Sequence, residues 1–390
     1  MNVLSAFLFG SYAAYPEARS EFLARVKEFA STEIKHFEFR VGVEDDIPLV
    51  ADAVYIPPTV VPRRLLIISS GVHGAEAPFG SLLQREFLTH IRENKRAEFT
   101  GVLFIHALNP YGFYKGRRVT AANVDLNRNF FSSKSTQQAA SNENYFKYKN
   151  LLSPRASVSN LWAERARIFF GLLGVAMGGA RAENIFTHAF ASGQYEDEKG
   201  VYYGGAGAEP QVEWMATLLK SLMSSYEEIV LYDIHTGLGK KNALQLISSL
   251  KTKIDSGLSQ ELREEILETP DLSFVSPRSE GFYVTTGDFI DFVYDLTLPH
   301  QKIAAFTAEF GTIGDSPISK MKTAMRIILE NQAHHHGTGN PAMAHEIKKD
   351  FVELFSPPSR EWIKKSLSLG IGVMSKTYQQ KLPDLYKKAQ

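Results

Sequence analysis

Two imidazoles and a carboxylate stand out as groups that could do chemistry together. They are His73 and Glu76 in "GVHGAEAPFG" and His235 in "LYDIHTG". This is the donor set that holds a catalytic zinc while leaving a fourth position for water, and it needs no cysteine. Asp233 lies two residues before His235, on the same strand face, where it can orient that imidazole as an acceptor. Glu309, at the end of "FTAEF", is a free carboxylate suited to act as base toward a metal-activated water. His73-x-x-Glu76 alone is a weak pattern; its weight comes from the companions.

These residues follow apolar runs that read as strands. "RLLIISS" precedes His73, and residues 78–94 put Phe79, Leu82, Leu83, Phe87, Leu88 and Ile91 on one helical stripe. "GVLFIHAL" at 101–108 completes a β-α-β rhythm, and residues 36–56 read as two strands around an acidic turn. After "VDLNRNF" come a polar stretch, about 132–147, and a helix-rich region to about 226. Strand patterns then resume at "EEIVLYDI", "ALQLISSL" and "KIAAFTAEF". Residues 315–376 read as helical, with Ile318, Met321, Met325, Ile328 and Leu329 on one stripe.

The expected fold is α/β: one domain over 1–390 with a mixed, mostly parallel central sheet flanked by helices. Residues 132–208 are an insertion within it, and 334–390 a helical C-terminal extension. Four segments, "GVHGAE", "ALNPYGF" with "RRVTAANVDLNRNF", "LYDIHTG" and "FTAEFGT", put polar residues at or just beyond strand ends. In open α/β sheets the crevice beyond the carboxyl ends of the strands is where ligands bind.

The 390 residues hold 43 basic and 43 acidic side chains, so no net cationic field favours nucleic acid. There is no cysteine, which excludes disulfides, thiolate metal sites and a thiol nucleophile. "MNVLSAFLFGSYAAYPEARSEF" has no basic leader and no run reaches eighteen apolar residues, so the expectation is a soluble, cytoplasmic protein with no membrane partner.

The motif series resembles the zinc carboxypeptidase (carboxypeptidase A-like metallopeptidase) superfamily, closest to an uncharacterised bacterial carboxypeptidase-like branch. The matching segments occur in family order: His73-x-x-Glu76, "VDLNRNF", "DIHTG", "YVTTGDFIDFVYD" and "TAEFGT". They cover roughly residues 65–330. The resemblance implies one zinc ion (Zn2+) per chain, held by His73, Glu76 and His235, with Glu309 as general base. It makes Asp125 the acceptor behind His73. It gives Asn127 and Arg128 the substrate's terminal carboxylate, a task for which the arginine fork is suited. Arg118 would stabilise the oxyanion, with Arg117 the less favoured candidate. Tyr283 would be the family's mobile tyrosine, and Ile290 falls where the family sets side-chain preference. Ala75 departs from the pattern, standing where digestive members carry an arginine, and the insertion lengthens the gap between Glu76 and His235.

The implied activity is hydrolysis of an amide bond beside a free carboxylate, most simply by a metallocarboxypeptidase acting on a peptide. An alternative is an N-acyl amino acid deacylase resembling aspartoacylase and succinylglutamate desuccinylase. A non-catalytic zinc- or peptide-binding protein is a third. Elsewhere, His334, His335 and His336 before Gly337 read as a helix end, where imidazolium suits the terminal carbonyls. "HEIKKD" from His345 lacks the second histidine of a zinc helix and reads as a solvated helix. No Gly-x-Ser-x-Gly elbow and no phosphate-binding glycine loop is present.

Overall fold

The computed structural model describes residues 12–29, 33–94, 96–131, 142–249, 251, 258–276 and 285–380. In chain order the elements are α1 (Tyr15–Lys27), β1 (Lys35–Glu44), β2 (Ile47–Ile56), β3 (Arg64–Ser70), α2 (Ala77–Glu93), β4 (Thr100–His106) and α3 (Pro110–Lys115). Then come α4 (Glu143–Leu152), α5 (Leu161–Met177), α6 (Gly179–Ala191), α7 (Pro210–Met223), β5 (Glu228–Gly237) and β6 (Leu244–Ser248). The rest are α8 (Gln260–Leu267), β7 (Leu272–Val275), α9 (Phe289–Leu296), β8 (Lys302–Gly311), α10 (Pro317–His336), α11 (Pro341–Phe355) and α12 (Arg360–Gln379).

The strands form one sheet in the order β1-β2-β4-β3-β5-β8-β6-β7. Its centre, β4-β3-β5-β8, is parallel, whereas β1, β2 and the β6–β8 pair join antiparallel and β6–β7 is parallel again. β3 and β4 are buried at every residue, as strands covered on both faces must be, which is why their sequences read as unbroken apolar runs. Alternate residues feed the two layers. Leu66, Ile68, Phe104, Val230 and Phe306 face a core shared with α2, α11 and α12, while Leu65, Ile67, Leu103, Leu231 and Ala305 face α7 and α9. This architecture is a single α/β domain with a mixed sheet, the fold class read from the sequence.

The differences lie in the details. The short strand β7 carries too little alternation to be read from the sequence. The polar stretch around 132–147 is already helical from Glu143, because Asn142 Oδ1 accepts the amide of Tyr145 and starts α4. In α10 the stripe is displaced: Ile318 is 66% exposed in the first turn, while Ala324, Ile327, Ile328 and Leu329 are buried. His336 does end α10, at Gly337. The imidazolium expectation for this run is corrected for His334 and His335. Partial desolvation, aided by the Arg117 charge, pushes both down to about 4, which favours neutral rings at pH 7.

Candidate active site

The loop after β3 is held by its backbone before any side chain acts. Gly71 takes a left-handed φ of 71°, and a Cβ on Gly74 would collide with the backbone of Gly112 at α3. Gly74 N and Asn109 Nδ2 both donate to Arg118 O, each at 3.1 Å. From the C-terminal helices, Ser356 Oγ donates to Ala75 O at 3.1 Å, between His73 and Glu76. The loop is thus tied to the arm carrying Arg118 and to the end of α11.

Parallel pairing brings in the rest. In register, β5 sets Asp233 beside Ser69 of β3 and His235 beside Glu309 of β8. His73 Nδ1 lies 2.9 Å from Glu76 Oε1, and His235 Nδ1 lies 3.0 Å from Glu76 Oε2 and 3.1 Å from His73 Nδ1. The outer nitrogens face carboxylates: His73 Nε2 is 3.0 Å from Asp125 Oδ1, and His235 Nε2 is 2.6 Å from Asp233 Oδ2. Ser69 Oγ donates to Asp233 Oδ1 at 2.6 Å, and Thr236 N donates to Glu76 Oε2 at 2.9 Å. His73, Glu76 and His235 are each 3% exposed and Glu309 is 5% exposed.

Arg118 spans this group, donating from Nε to Asp125 Oδ2 at 2.9 Å and from Nη1 to Glu76 Oε1 at 3.3 Å, with Nη2 2.6 Å from His73 Nε2. Tyr202, from the segment between α6 and α7, lies against it with its ring centre 4.8 Å from the guanidinium carbon. Arg117 turns the other way, to Glu330 at 3.0 Å and Asn123 at 3.2 Å.

Charge in this group is unbalanced. Glu76, Asp125, Asp233 and Glu309 surround one permanent cation, Arg118, and the two imidazoles. Burial works against a charged His235, yet Asp233 and Glu76 hold it well above the usual histidine range. Glu76 and Asp125 are likewise held low against burial, Glu76 by His73 and His235, Asp125 by Arg118 and His73. Glu309 goes the other way, pushed up to about 7 by burial and then by the Glu76 charge. Its Oε1 accepts Leu238 N at 2.8 Å.

This donor set fits a divalent cation. The ligand atoms of His73, Glu76 and His235 lie within 4.8 Å of one another. Asp233 can only accept, so His235 Nε2 carries hydrogen and Nδ1 directs its lone pair inward unless the ring is doubly protonated. Two imidazoles and a carboxylate with carboxylates behind them suit zinc. A second grouping, His36, Glu38 and Asp52, is a different case, because Arg19 bonds both of its carboxylates.

The other sequence-read residues stand farther out. Arg128 is buried, with Nε and Nη2 donating to Ala191 O at 3.1 and 2.6 Å and Nη1 to Asn127 O at 2.6 Å. Asn127 Oδ1 accepts Phe289 N at 2.9 Å, and Ile290 packs in the core layer with Phe289, Phe292 and Phe130. Tyr283 lies outside the described residues. The sequence reading missed Ser69, Tyr202, Thr236 and Ser356. Thr236 and Ser356 act through a backbone atom or upon one and Tyr202 arrives from a distant segment, so residue type and spacing do not mark their roles.

Residues 12–368 match the family described as "Protein of unknown function (DUF2817)". No curated protein matches the chain. Among solved structures it is similar to bovine thrombin-activatable fibrinolysis inhibitor in complex with tick carboxypeptidase inhibitor, at 16% identity and a TM-score of 0.45, over 87% of this chain and 96% of that one. It is similar to carboxypeptidase A from Helicoverpa armigera at 12% identity and a TM-score of 0.44, over 83% and 73%. It is also similar to the succinylglutamate desuccinylase from Chromobacterium violaceum at 13% identity and a TM-score of 0.38, over 79% and 72%.

Proposed function

The chain belongs to the DUF2817 family of proteins of unknown function, and from its site we propose that it is a zinc-dependent hydrolase of an amide bond beside a free carboxylate, most simply a metallocarboxypeptidase. The observation that carries this reading is the convergence of His73, Glu76 and His235 with a free carboxylate, Glu309, whose pKa is pushed up to about 7.

His73, Glu76 and His235 would hold the zinc, which would supply Lewis acidity toward the carbonyl and toward water. Glu309 takes the proton from the attacking water and delivers it to the leaving amine nitrogen, a task matched to a pKa near the working pH. Arg118 faces the developing negative charge on the carbonyl oxygen, its guanidinium already fixed by Asp125. Asp125 and Asp233 hold the two imidazoles in orientation. Asn127 and Arg128 take the substrate's free carboxylate. Ala191 and Asn127 carbonyls occupy only part of Arg128's five N–H groups, and the remainder serve the substrate. In this reading residues 132–208 are an insertion that carries Tyr202 and Ala191 to the site's wall.

A second reading, an N-acyl amino acid deacylase, draws support from one observation. The ligands are only 3% exposed, Ser356 bonds the Ala75 carbonyl between two of them and Tyr202 lies on Arg118, an enclosure that suits a short substrate. Zinc content and a hydrolysis screen test both readings. The purified protein is expected to carry one zinc per chain, lost in His235→Ala without loss of fold, and to cleave substrates with a free terminal carboxylate but not their amides. Full metal retention by His235→Ala would overturn the site. Cleavage of N-acyl amino acids alone would select the deacylase.

A further inference from the structure

Helix α5 is apolar on the face that solvent covers. Its inner face buries Leu161, Ile168 and Leu172. On the adjoining outer face Trp162 is 79% exposed, Phe169 42%, Phe170 66%, Leu173 37% and Met177 81%. From Ile168 to Ala180 the sequence "IFFGLLGVAMGGA" has no charge. A helical stretch without charge on any face, as this one is from Ile168 to Met177, is ordinarily covered on both sides.

We propose that this outer face of α5 is the two-fold interface of a homodimer. The area is of the right size. At about 150–250 Å² per aromatic side chain, the exposed parts of Trp162, Phe169 and Phe170 amount to about 400 Å². Met177 and Leu173 raise that to about 600 Å², and exposed Ala163 and Gly174 extend the patch toward the ~800 Å² per partner of a stable interface.

The face is also complementary to itself. In an antiparallel pair centred between Phe169 and Phe170, Trp162 of one copy faces Met177 of the other, and Ala166 faces Leu173. A bulky side chain meets a flexible or small one, and the aromatic pair meets itself on the axis. The charged residues Glu164, Arg165 and Arg167 lie in the N-terminal half, so they run alongside the uncharged C-terminal half of the second copy. No like charges oppose one another, and the helix dipoles align favourably.

The same charges argue for a second copy over a lipid surface. Arg165 is paired with Glu346 and Asp350, and Arg167 with Glu164, so the flanks lack the cationic surplus of membrane-surface helices.

The test is sedimentation velocity with the full chain across a wide concentration range, beside Phe170→Asp and Met177→Asp. These side chains are exposed in the single copy, so circular dichroism and zinc content are expected to be unchanged. The expected result is twice the monomer mass for the wild type, with dissociation shifted by about 100-fold or more in both variants. Because the chain has no cysteine, Phe170→Cys gives one thiol near the axis, and a short bis-maleimide is expected to link two copies. A monomer at every concentration overturns the proposal. So does a dimer indifferent to both substitutions, or flotation of the wild type, but not of Phe170→Asp, with anionic vesicles.

Discussion

Two buried clusters of charge lie on either side of the Arg117–Arg118 peptide bond, and they are built to opposite plans. On the Arg117 side, Glu330 accepts from Arg117 Nε at 3.0 Å and from Lys348 Nζ at 2.7 Å, and Lys348 also donates to Gly116 O at 3.4 Å. The chain supplies both cations this carboxylate needs, and Glu330 is held well below the usual range despite burial. On the Arg118 side, four carboxylates share one guanidinium and two imidazoles. The first cluster gives its one carboxylate two cations, whereas the second gathers more carboxylates than fixed cations, the arrangement a bound cation would balance. Burial and charge density alone do not separate the two; the sign of the imbalance does, because a surplus of buried carboxylate beside imidazoles is what a cation site needs.

The same substitution in each cluster separates them most widely. Glu309→Gln keeps the shape and loses the proton carrier, so turnover is expected to fall by about two to four orders of magnitude, with zinc content and stability retained. Kinetics on whichever substrate the screen identifies, with metal analysis alongside, decides this. Near-normal turnover would remove Glu309 as base and erase the distinction.

Glu330→Gln is expected to do the reverse. It leaves Arg117 and Lys348 buried without a counter-charge, at a cost of about 3–5 kcal/mol in urea unfolding, while zinc stoichiometry is unchanged. A variant as stable as the wild type would show that this cluster does not brace the fold.

How far each cluster was legible in the sequence follows the same division. The convergence on the Arg118 side could be read because His73, Glu76, His235 and Glu309 each follow an apolar run, and β-strand register then delivers them to one edge. Asp233 was legible through strand alternation alone. The Arg117 side could not be read, since Glu330 is 213 positions away in α10 and nothing local in "ILENQ" marks a partner. Arg117 and Arg118 are adjacent and chemically identical, and only the packed arm turns one to Glu330 and the other to Asp125. The central strands were legible because burial on both faces writes an apolar run. Strand β7 and the exposed start of α10 were not, because their environment is set by neighbours distant in sequence. Arg128's contact with Ala191 O belongs to that class too.

Removing the metal probes the imbalance directly. Chelation is expected to lower the stability of the wild type, by about 2.7 kcal/mol relative to zinc at one hundred times its Kd, and to leave His235→Ala unmoved. Thermal unfolding with and without chelator reads this out. Equal shifts in both proteins would place the stabilising ion elsewhere.

The smallest effect expected is in the pH dependence of stability, and its sign differs between the two glutamates. Glu330 has a folded pKa held below its unfolded value by Arg117 and Lys348. Its contribution is therefore fully present above the unfolded value of about 4.3 and is lost as pH falls below it toward the folded pKa. The wild-type advantage over Glu330→Gln should shrink on acidification from pH 5 to pH 3, by at most about 1.4 kcal/mol per pH unit. Glu309 in the chelated protein has a folded pKa raised to about 7 by burial and Glu76. The folded state then holds the proton more tightly than the unfolded one, so its contribution is present below about 4.3 and is lost as pH rises from there through 7. Chelated Glu309→Gln should accordingly gain on the chelated wild type as pH rises from 5 to 8, the opposite direction from Glu330→Gln. Urea midpoints for the variants and chelated wild type at pH 3, 5 and 8 measure both slopes. Slopes of the same sign would mean that the two carboxylates sit in equivalent fields, and the contrast between the two clusters would fail.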